Sequence, residues 1–180
     1  MIRRWLLHGL WALLATVTTG AEALEANESA VKAAYLFKFG FFVEWPSAAF
    51  AASDSPINLC IVGKDPFGST LDDSVRGQKI GDHTIVVRRL GVAMQESGCH
   101  IVYLAGGPGA RTDETLAGLR GSDVLTVTDG QADSGDVGII NFVVRDSRVR
   151  FDIDDAAAAS AGLTISSRLL NLALQVKPRR

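Results

Sequence analysis

The side chains suited to catalysis are few and scattered. Beyond its first thirty residues the chain holds two histidines, His83 and His100, each opening a run of β-forming residues. There is no G-x-S-x-G nucleophile elbow and no H-E-x-x-H zinc motif. Gly106-Gly107-Pro108-Gly109 stands between a strand-like and a helix-like segment, where an open α/β sheet accepts anions. It lacks the G-x-G-x-x-G spacing, and Pro108 removes a backbone donor, so it reads as a turn. Asp129, Asp133 and Asp136 do not follow the twelve-residue calcium loop and lack its closing glutamate; they read as a solvated loop. No catalytic residue, cofactor or metal is expected.

Binding chemistry is better represented. In RVRFDI, Val149, Phe151 and Ile153 alternate with Arg148, Arg150 and Asp152, the pattern of a strand with one wet face. With Arg168 from the segment that follows, these charges form a candidate ligand pocket, because paired guanidiniums suit a carboxylate or phosphate. The competing explanation is an edge strand protected by its charges. Cys60 and Cys99 are the only cysteines. In an oxidising compartment they are a candidate disulfide; the alternative is two buried thiols.

The elements that must position these residues can be read from periodicity. Strands are expected at 57–62, 83–89, 100–104, 124–128, 138–144 and 148–153, the last two joined by a hairpin-length turn. Short helices are expected at 67–75, capped by Asp65 with Pro66 at the first position, and at 111–120. A long C-terminal helix is expected from Asp154 or Asp155 to about Val176, with a polar stripe and two apolar faces. The sum is a single α/β domain with a mostly parallel sheet of about six strands, an antiparallel C-terminal hairpin and long terminal helices.

The N-terminal helix is the least ordinary element. Residues 27–43 suggest a helix with Asn27 as its cap, stopped by Pro46. Its charges, Lys32, Lys38 and Glu44, point in different directions, and Tyr35, Phe37, Phe39, Phe41 and Phe42 fill the gaps, with Trp45 following. Such a helix needs cover on most sides. The lysines can reach water on long stems above a core helix. Otherwise part of the helix faces another chain, giving a homodimer or a partner contact with anchors among Tyr35, Phe39, Phe42 and Trp45.

The chain opens with Arg3 and Arg4, an apolar run from Trp5 to Val17, and Ala21-Glu22-Ala23. This is the form of a secretory signal over residues 1–23, cleaved after Ala23 or alternatively after Ala21, leaving 24–180 as the exported domain. The run is too short for a comfortable bilayer span. The chain carries a net charge of −2. Cleavage removes Arg3, Arg4 and Glu22 and makes the remainder more negative, which argues against a nucleic-acid partner.

Taken in order, AYLFKFGFFVEWP, IVGKDPFG, CHIVYLAG, VLTVTDG, GIINFVVRDSRVRFDID and GLTISSRLLNLA resemble the YfiR family of periplasmic proteins over about Ser29 to Ala173. Cys60 and Cys99 stand where that family places a cysteine pair. The loop ADSGDVG departs from the family's usual aromatic and Gly-Gly pair, and Asp154 replaces a frequent asparagine. The resemblance implies a periplasmic repressor, without catalytic activity, of the sensory domain of an inner-membrane diguanylate cyclase. Cyclic-di-GMP signalling and biofilm formation would then be under its control. A periplasmic small-ligand sensor is the alternative.

Overall fold

A computed structural model describes residues 19–106, 110–130 and 136–179. Most of the expected secretory segment, most of the glycine-rich turn and Asp133 lie outside the described residues. Ten strands and five α-helices occur among those described: β1 (Val43–Glu44), β2 (Ile57–Val62), β3 (Lys79–Ile80), β4 (His83–Leu90), β5 (Ile101–Leu104), β6 (Leu125–Asp129), β7 (Ile140–Arg145), β8 (Arg148–Asp154), β9 (Thr164–Ile165) and β10 (Val176–Lys177), with α1 (Thr19–Phe39), α2 (Ser69–Val75), α3 (Ala110–Gly118), α4 (Asp155–Ser160) and α5 (Ser167–Leu170).

Eight strands form one sheet in the order β10-β8-β7-β6-β5-β2-β4-β3. β4, β2, β5, β6 and β7 are parallel neighbours, while β7–β8 and β3–β4 are antiparallel. The apolar runs of the central strands follow from burial on both faces. Ile57, Leu59 and Ile61 of β2 and Ile101 and Tyr103 of β5 pack in one core cluster with α1 and α2. Their neighbours Cys60, Val62, Val102 and Leu104 pack on the other face with Leu116 of α3. Cys60 and Cys99 are bonded across that second face, their α-carbons 5.9 Å apart. The expected mostly parallel α/β domain, its six main strands and its C-terminal hairpin are all present.

Three helices differ from the sequence reading. α2 begins at Ser69 with Gly68 as its N-cap; Asp65 accepts from the Phe67 amide at 2.7 Å in the turn before it and does not cap the helix. α1 begins at Thr19 and passes through Asn27, which is therefore not its cap; a 3-10 turn over Gly40–Phe42 ends it before β1. The single long C-terminal helix does not form. α4 stops after Ser160 because Gly162 takes φ +71°. The amide of Leu163 then donates to the Ala158 carbonyl at 2.9 Å and that of Gly162 to Ala159 at 3.1 Å, the paired bonds of a Schellman stop. The chain continues as β9, antiparallel to β1. Ser166 caps α5, and β10 returns beside β8. The two apolar faces inferred for one helix are therefore divided among β9, α5, β10 and the connections between them.

Candidate functional site

α1 delivers one charged group into the interior. Lys32 was expected to reach solvent, but it is buried, and its ammonium lies 2.8 and 2.7 Å from the two carboxylate oxygens of Asp129. Glu28, one turn earlier on α1, also accepts from it. The Tyr103 hydroxyl donates to Asp129 Oδ2 at 2.9 Å. Burial works to lower the lysine's pKa, but the hydrogen bonds it donates to Asp129 and Glu28, with their negative charges, outweigh it and hold the ammonium above its usual range. Burial, and then the Asp129 charge, push the Tyr103 phenol well above its ordinary value. The cluster is an ion pair in which neither the Lys32 amine nor the Tyr103 phenol is activated as a nucleophile. It joins α1 to the carboxyl end of β6. Farther along, Glu25, Ala26, Ser29 and Ala30 of α1 face Pro66, Phe67 and Thr70, just past the carboxyl end of β2. α1 thus forms one wall of a small cavity beside the carboxyl end of β2, near where open α/β sheets take small ligands.

The two histidines meet at the opposite end of the strands. Phe50 stacks on His83 at 4.0 Å and on His100 at 4.7 Å between ring centroids. His100 Nδ1 accepts from the amide of Asn58 at 3.1 Å, which leaves Nε2 to donate to the Ala49 carbonyl at 3.1 Å. Burial lowers the His100 pKa; the Ala49 bond opposes this and the nearby His83 adds to it. Both rings hold the 45–56 connection against the sheet. Of the three acids set aside as a loop, Asp129 is engaged by Lys32 and Asp136 by Arg120.

The open site is a groove of about 740 Å³ between one face of α1, from Leu24 to Tyr35, and the β7–β8 hairpin. Leu24, Val31 and Tyr35 line it from α1, Val149 and Phe151 from β8, and Leu172 from the C-terminal segment. Leu24 and Leu172 are 71% and 57% exposed, large for leucine. Arg148 and Arg150 also line the groove; Asp152 and Arg168 do not. The expected four-residue pocket is therefore divided. Arg168 is exposed on α5, and Asp152 lies deeper along β8, between Phe151 and Ile153.

The expected aromatic anchors are divided too. Phe39 is only 1% exposed and packs on Phe142 and Phe151 inside the core, so it offers no surface. Tyr35, Phe42 and Trp45 are partly buried against the same core. Phe41, 47% exposed, is the open aromatic of the stretch. Sequence reasoning missed Lys32, Asp129 and Tyr103 as a unit, because residues so far apart in the chain carry no local signature.

The geometry is that of a structural ion pair and an open surface groove. Among the described residues no group of histidine, cysteine and acidic side chains is placed to hold a metal ion, and no helix is long and apolar enough to cross a membrane. A search of curated proteins finds no match to the chain. The sequence model of the YfiR/HmsC-like family matches residues 29–174. That match begins one turn ahead of Lys32 in α1 and ends just past the groove residue Leu172, taking in both the ion pair and most of the groove, and the chain belongs to the YfiR/HmsC-like family.

Proposed function

We propose that the protein is exported to the periplasm, its signal removed near Ala23, and that it binds and represses the sensory domain of an inner-membrane diguanylate cyclase. The carrying observation is the family match over residues 29–174. The exposed groove beside α1 supplies a surface of the kind a regulator needs. Repression requires tighter binding to the inactive cyclase than to the active one. A tenfold shift between those states takes a difference of about 1.4 kcal/mol. The test is capture of the exported protein from a membrane extract, with the retained proteins identified by mass. Recovery of a membrane cyclase with a periplasmic domain supports the reading; recovery of none, from cells that contain one, contradicts it.

The groove volume favours a second reading, a small-ligand sensor. About 740 Å³ lies within the range of small-molecule sites, and Arg148 and Arg150 would attract a carboxylate. Saturable binding of a small organic acid, lost in Arg150→Ala, would support it. A homodimer would use Tyr35, Phe42 and Trp45, and sedimentation of wild type and Phe42→Ala decides it: a dimer weakened by the substitution assigns those aromatics to self-association.

A further inference from the structure

β8 is only half covered on its outer side. The turn at Asp146 and Ser147, with φ of 52° and 57°, fixes the hairpin register so that Arg145 pairs with Arg148 and Val144 with Val149. In that ladder Arg148, Arg150 and Asp152 direct their backbone groups to β7, and Val149, Phe151 and Ile153 direct theirs outward. β10 meets only the far end: Ile153 donates to Gln175 and Phe151 accepts from Leu174. The outward N–H and C=O of Val149 and the N–H of Phe151 have no strand beside them. The apolar groove runs along this same stretch, with Val149 and Phe151 in its lining.

The charges here are equally unsatisfied. Arginine ion pairs among the described residues involve Arg76, Arg89, Arg120 and Arg179. Arg145, Arg148 and Arg150 are exposed and form none, in a chain of net charge −2. Their side chains project from the sheet face opposite the one that Val149 and Phe151 turn toward α1, so Arg148 and Arg150 meet the groove only at its rim.

We propose that the free edge of β8 receives an extended segment of a partner protein as an added strand, with apolar side chains entering the groove and acidic ones alternating with them opposite Arg148 and Arg150. Backbone bonds to Val149 and Phe151 supply the pairing, and alternate side chains supply the selection. A second copy of this chain fits poorly, since antiparallel pairing of β8 with β8 sets arginine against arginine. This deepens the regulatory reading and rests on it only for the identity of the partner.

The test uses the exported protein and a blocked peptide of alternating glutamate and valine, compared with a peptide of the same composition in two blocks. Val149→Pro removes an outward donor and leaves the ladder to β7 intact; Val149→Ala and a melting curve serve as controls. The alternating peptide is expected to bind and to slow amide exchange at Val149 and Phe151. Val149→Pro and the double variant Arg148→Glu/Arg150→Glu should each weaken it about tenfold, against less than about threefold for Val149→Ala. Equal binding of the two peptides, or undiminished binding by folded Val149→Pro, overturns the proposal. So does a dimer of the protein alone that Val149→Pro dissociates. If a membrane cyclase is captured equally by wild type and Val149→Pro, the regulatory reading stands and this inference falls. If the peptide behaves as expected but no cyclase is captured, the edge stands and the regulatory reading falls.

Discussion

Lys32 shows how one residue can defeat a local reading. On α1 it has the spacing of a surface lysine, yet it is 7% exposed and closed against Asp129. Only the fold brings the end of β6 to that helix, so no motif announces the pair. A buried charge that loses its partner is costly, whereas removing both charges is not. Asp129→Asn leaves Lys32 only Glu28 and should therefore destabilise by about 2 kcal/mol, and Lys32→Met/Asp129→Asn by clearly less. Urea unfolding of Asp129→Asn, Lys32→Met and the double variant checks this; a double variant as unstable as the sum of the singles would refute it. His100 gives a pH dependence of known sign. Its folded pKa lies below the ordinary value of 6.5, so the unfolded chain takes up the proton first as pH falls. The stability it contributes is complete above about pH 6.5 and is lost as the pH drops below that toward the folded pKa. Unfolding free energy should decline from pH 7 to 5.5, with a smaller slope in His100→Gln.

At the level of elements, the strands were legible and the C-terminal helix was not. β2, β5 and β6 show themselves as short β-rich runs bounded by turn residues, and β8 by strict alternation. Ala156 to Ala161 is helix-friendly, and apolar residues continue beyond it, so a helical period could be drawn through Gly162. The sharper signal was Gly162 itself, a helix stop followed by the β-branched Thr164 and Ile165 and the capping residue Ser166. The consequence reaches the N-terminal segment. Val43 pairs with Ile165, and the Ser166 amide donates to the Phe42 carbonyl at 2.8 Å, so the first and last family motifs are parts of one joint. Gly162→Ala must place a side chain at φ +71° and should cost about 1 kcal/mol. Unchanged stability in urea would show that the turn relaxes. The aromatic stretch was read correctly as needing cover; most of that cover is the chain's own sheet, as Phe39 shows at 1% exposure.

For the molecule as a whole, the bond between Cys60 and Cys99 closes the longest-range covalent constraint, across 39 positions of sequence. In the chain-entropy account such a loop contributes about 4 kcal/mol, so Cys60→Ser/Cys99→Ser should lose up to that amount. Equal unfolding midpoints with and without reductant would contradict it. The candidate site was partly legible. Arg148 and Arg150 were identified from alternation alone. The groove beside them was not, because its walls come from α1 and from Leu172. Its division from Arg168 followed from the break at Gly162. The regulatory account itself is tested most directly in the cell that makes the protein, by measuring cyclic-di-GMP after deleting its gene, alone and together with the gene of the captured cyclase. The account predicts a rise in cyclic-di-GMP in the single deletion, restored by the wild-type chain and absent in the double deletion. An unchanged level in the single deletion, or a rise that persists without the cyclase, would contradict it.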